Sequence, residues 1–103
     1  MFNINGIDWQ IKLVSANHPK IRRNDGSIAL GSCDVVDYTI YLSEKIPSYK
    51  LKKVLCHEIT HAAMFSYNVD INIDQEELIA DLIATYGSEI IDVTNRIFGK
   101  IKL

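Results

Sequence analysis

Apolar and polar residues change their spacing once along this chain, and the change separates a strand-forming part from a helix-forming part. Between Ile7 and Leu13 the apolar residues Ile7, Trp9, Ile11 and Leu13 alternate with Asp8, Gln10 and Lys12, which is the period of a half-buried strand. Asn5-Gly6 before it is a tight-turn signal that offers Phe2–Ile4 as a short partner strand. Residues 15–26 contain His18-Pro19 and Asn24-Asp25-Gly26 and read as loop and turn. A second strand is predicted over Ser27–Cys33, with Asp34-Val35-Val36-Asp37 turning the chain into a third over Tyr38–Leu42. That third strand leads towards Pro47 and Ser48, the latter a plausible helix cap.

After Ser48 the period lengthens. Leu51, Leu55, Ile59, Ala62, Ala63 and Ser66 form a helical stripe that ends near Tyr67. A last helix is predicted from about Asp74, with Ile79, Leu82, Ile83, Tyr86, Ile90, Val93 and Ile97 at helical spacing. Gly87 lies inside it as a kink or break. Strands first and helices second predict an α+β fold, a sheet of about three strands followed by two helices. Trp9 and Phe65 are the expected aromatic core.

The chain has 103 residues, 48% of them apolar and 23% charged, the balance of one small globular domain spanning residues 1–103. Net charge is -2, but residues 1–53 carry eight Lys/Arg against five Asp/Glu and the remainder three against eight. Lys20, Arg22 and Arg23 cluster in one loop that could touch a phosphate. With no interleaved aromatics and a slightly acidic total, the charge pattern argues against a nucleic-acid partner. No apolar run is long enough to span a bilayer, and the first residues do not form a signal peptide. Cys33 and Cys56 match no disulfide framework, so the expectation is a cytoplasmic protein with two reduced thiols.

Chemistry concentrates at His57-Glu58-Ile59-Thr60-His61, in the middle of the first predicted helix. Residues four apart on a helix face the same way, with β-carbons about 5–6 Å apart. Two imidazoles so placed can converge on one zinc ion at about 2.0–2.1 Å each. Glu58, one step on from His57, points near that metal without lying over it, where a carboxylate can take a proton from water. A third protein ligand is needed, and Glu76, Glu77 and Asp81 are at hand. Glu77 and Asp81 project from one face that also carries the small Ala80 and Ala84. This favours Glu77 as ligand and Asp81 as the carboxylate accepting a ligand histidine's free N–H. Against it, Asp74 and Glu77 could instead close a capping box, which leaves Glu76 as the next candidate ligand. Cys33 is a remoter one. Tyr67 and His18 are minor candidates for holding an oxyanion. Cys56 points about 100° away from His57 and reads as a small buried hydrophobe.

His57-Glu58-x-x-His61 followed by Glu77-x-x-Ala80-Asp81 resembles the gluzincin pattern of zinc metallopeptidases. The small size and the order of strands, histidine helix and glutamate helix look most like the phage- and prophage-encoded relatives of the ImmA/IrrE metallopeptidases. The resemblance is specific over residues 50–91 and topological before them. It implies a minimal zincin-like domain binding Zn2+ through His57, His61 and Glu77, with Glu58 as general base and Asp81 supporting a ligand. It also implies a metalloprotease that hydrolyses a peptide bond in a protein substrate, and an extended peptide added along Tyr38–Leu42. The alternative expectation is a zinc-stabilised protein-binding module without catalysis.

Overall fold

A computed structural model of the chain describes residues 1–23 and 25–101. Its α+β order is β1 (Phe2–Ile4), β2 (Ile7–Val14), a single 3-10 turn (Pro19–Ile21), β3 (Gly31–Asp34), β4 (Thr39–Ser43), α1 (Ser48–Ser66) and α2 (Ile73–Ile101). The sheet has four strands rather than three, in the order β1-β2-β4-β3. Asn5 and Gly6 supply the extra one. Both have positive φ, 48° and 84°, and close Ile4 directly onto Ile7 in a two-residue turn.

β2 and β4 are parallel, with Ile11 opposite Ile40 and Leu13 opposite Leu42. β3 returns antiparallel on the far side of β4, with Cys33 opposite Ile40. β4 is therefore an interior strand, not the free edge expected for Tyr38–Leu42. The edge beyond it is β3. Tyr38 itself lies outside the strand at a φ of 53°. The strand predicted from Ser27 starts only at Gly31, because the preceding residues serve the 3-10 turn instead. Ala29 N–H donates to the Ile21 carbonyl, and Arg22 bridges Ile28.

α1 covers one face of the sheet. Trp9, Ile40, Leu42 and Ala62 are buried between them, with Val54, Leu55 and Ile59 packed alongside. The Trp9 indole N–H donates to Ser66 Oγ at 2.9 Å, so its burial leaves no orphan donor. Phe65, expected in the core, stands edge-on to Trp9 and stays 40% exposed. Ile11 and Leu13 also remain exposed, so the alternating strand is buried over only part of its length.

The helix ends are set by local chemistry. Pro47 occupies the position before α1 and Ser48 is its first residue, so no side chain caps that end as expected of Ser48. Proline suits the entry because its missing N–H would be unpaired there anyway. At the other end Val69 N–H donates to Met64 O and Asn68 N–H to Phe65 O, with Asn68 at a φ of 55°, a Schellman termination. α2 begins with a capping box between Asn72 and Gln75, each side chain accepting from the other's backbone N–H. The box is not Asp74 with Glu77, and Glu77 is left free. α2 also runs unbroken through Gly87, which is partly buried. None of the described helices is long and apolar enough to cross a membrane.

Asp34 holds the turn into β4, accepting from the N–H groups of Val36 and Asp37, and forms an ion pair with Lys20. The Lys20 hydrogen bond is the main reason its carboxyl titrates below the ordinary range. A lowered folded value stabilises above the unfolded value of about 3.9 and is lost as pH falls through the folded one. Asp34→Asn should therefore melt earlier than wild type at neutral pH, and the gap should close as the pH drops below about 4. Thermal melts in parallel across that range check this.

Candidate metal centre and its cleft

His57 and His61 sit one turn apart on α1, and the first turns of α2 bring three carboxylates against them. The His57 Nδ1 faces Asp81 Oδ1 at 3.0 Å and the His61 Nδ1 faces Glu76 Oε1 at 2.8 Å. An ionised carboxylate only accepts, so each Nδ1 carries the proton and donates. In the neutral ring each Nε2 is then a bare lone pair. The two Nε2 atoms face each other at 3.2 Å, and Glu77 straddles them, Oε2 at 3.2 Å from His57 and Oε1 at 2.9 Å from His61. Four acceptors thus converge with no donor among them, an arrangement that repels unless a cation lies between. A proton could serve one of these contacts at a time, whereas a metal ion serves all.

The spacing fits that reading. Tetrahedral ligands at about 2.0–2.1 Å from one ion stand about 3.3 Å apart. One ligand atom from each of His57, His61 and Glu77 lies within 4.8 Å of the others, and this group could hold a metal ion. Asp81 stands against His57. Glu76 is not in the ligand group; it orients His61 as Asp81 orients His57, a role sequence reasoning missed. The Asn72-x-x-Gln75 capping signature was legible and leaves Glu76 and Glu77 free of the cap, but the seat of Glu76 on His61 comes from the packing of α2 on α1.

Glu58 is buried to 8% exposure and lines a cleft of about 380 Å3 together with His57, His61 and Glu77. Burial raises its carboxyl above the usual range, opposed by the two histidines and by Arg23, and reinforced by Glu77. Lys20, Arg22 and Arg23 line the same cleft, so the basic loop borders the site. Cys33 lies on its wall, but its thiol is outside the ligand group. Burial first and Glu58 second push that thiol to about 12, far from the thiolate a metal needs. His18 and Tyr67 do not line the cleft among the described residues. His18 accepts from Lys20 N–H and stacks on Tyr41, and Tyr67 ends α1, 61% exposed.

Gly31 is the other residue that sequence reasoning passed over. A β-carbon there would meet Val54 Cγ1 at 3.1 Å and Glu58 Cγ at 3.2 Å, so a bare backbone is what lets β3 lie against α1 beside Glu58. Gly31→Ala should cost about 1–3 kcal/mol and push the Glu58 side chain aside. Denaturant unfolding reads the first effect, and a crystal structure of the variant reads the second.

Compared with protein-family profiles, with curated proteins and with solved structures, the chain matches none.

Proposed function

We propose that this chain is a zinc-dependent endopeptidase of the gluzincin type, of the kind represented by the ImmA/IrrE metallopeptidases, acting on a protein substrate. The observation that carries the reading is the position of Glu58, a buried carboxylate that lines the cleft beside the ligand group yet belongs to none of its contacts. His57, His61 and Glu77 hold the ion, while Asp81 and Glu76 keep the two imidazoles in the tautomer that ligation requires. Zinc held there supplies a Lewis acid that brings water acidity towards neutrality and stabilises negative charge on a carbonyl oxygen.

Glu58 accepts a proton from water as its oxygen attacks the carbonyl carbon. It then returns the proton to the departing amine nitrogen as the C–N bond breaks. The free edge of β3, which meets α1 at Gly31, is the place for an extended peptide to add as a further strand. The scissile bond then lies beside Glu58.

A zinc-stabilised binding module is the second reading, favoured by the long exposed apolar run on α2. Glu58 separates the two, since only hydrolysis needs it. The test is to incubate the zinc-loaded chain and its Glu58→Gln variant with a denatured proteome and to map new N-termini by mass spectrometry. New termini from wild type alone support the peptidase; none from either supports the module.

A further inference from the structure

α2 has 29 residues and α1 only 19, so the C-terminal part of α2 outruns the helix it packs on. Every residue from Ser88 to Ile101 is exposed. Ile90, Val93 and Ile97 are 53%, 40% and 48% exposed, a continuous stripe of a kind folded chains ordinarily cover. A projecting helix of this length is marginal in water without a partner.

The apolar residues Ile79, Ile83, Tyr86, Ile90, Val93 and Ile97 follow one another at alternating steps of four and three. That is the 3.5-residue repeat of a seam between two helices. The charges beside it are ordered, with Glu89 and Asp92 before Arg96 and Lys100. A second α2 laid antiparallel sets Glu89 onto the partner's Arg96, whereas a parallel one sets it against the partner's Thr94.

We propose that α2 pairs antiparallel with α2 of a second copy of this chain, through the seam from Ile83 to Ile97. The two-fold axis passes between Ile91 and Asp92. Ile90 then meets the partner's Val93 and Ile97 meets the partner's Tyr86. The same register brings Glu89 against the partner's Arg96, twice by symmetry. Glu77 and Asp81 lie on the face turned to α1, so the pairing stands apart from the metal centre and from the function proposed for it.

Sedimentation equilibrium of the full chain tests this. The expected mass is twice the 11.7 kDa of one chain, falling towards one chain on dilution. Ile90→Asp should give a monomer whose helical circular dichroism is retained, because Ile90 is exposed in the single chain. Glu89→Arg and Arg96→Glu should each weaken pairing about tenfold, by turning two attractive pairs repulsive, and the double exchange should restore it. A monomer at every concentration overturns the proposal. A dimer that Ile90→Asp does not weaken, or that both single charge changes and the double exchange leave equally tight, overturns it too, since in a parallel pair Glu89 would face the partner's Thr94.

Discussion

Glu58→Gln is expected to keep one equivalent of zinc per chain and to lose hydrolysis by about 10²–10⁴-fold. The substitution preserves the shape and hydrogen-bonding reach of the side chain while removing its ability to take up a proton at neutral pH. The ligand group of His57, His61 and Glu77 does not include it, so metal content has no reason to change. Burial should be easier for the amide than for the carboxylate, so the variant should fold at least as well as wild type. Elemental analysis beside the N-terminal mapping gives both quantities on one preparation. Cleavage that survives the substitution would remove Glu58 from the chemistry. Zinc lost with it would place Glu58 among the ligands.

The second large effect is on stability. Zinc at a hundred times its dissociation constant should stabilise the fold by about 2.7 kcal/mol through mass action alone. For a domain of this size that raises the melting temperature by roughly 10–20 °C. The gain has a clear origin: without a cation, the two Nε2 lone pairs and the Glu77 oxygens oppose one another across the α1–α2 contact. Glu77→Gln should remove most of the zinc-dependent rise. Asp81→Asn and Glu76→Gln should each weaken zinc binding by about 10–100-fold and keep part of it, because they hold the imidazoles rather than the ion. Scanning calorimetry with and without added zinc checks all four proteins. Melting temperatures indifferent to zinc in wild type would reject the site as a metal centre.

Much of this arrangement is legible in the sequence where one element decides the outcome by itself. The alternation through Ile7 and Trp9, the turn at Asn5-Gly6 and the one-turn spacing of His57 and His61 are local, and each appears where it was expected. What was misread depends on neighbours the periodicity does not name. That β4 is interior and β3 the edge follows from the parallel pairing of β2 with β4, a contact between residues some thirty positions apart. What Glu76 does depends on how α2 is seated on α1, which the sequence of α2 does not name by itself. Gly87 has the composition of a break but not the consequence: α2 runs through it, and a β-carbon added there would meet Ile83 of the same helix. Gly31 reads as one residue of a predicted strand, and its need for a bare backbone shows only when α1 is laid over it.

The two halves of the site have different folding requirements. All three candidate ligands, with the carboxylates that face the histidines, lie in one helical hairpin, α1 and α2 joined by residues 67–72. Glu58 differs, since its burial needs β3, which belongs to the sheet rather than to the hairpin. The side chains that could hold an ion are therefore gathered by two helices alone, whereas Glu58 is walled off from water only where the sheet and the helices meet.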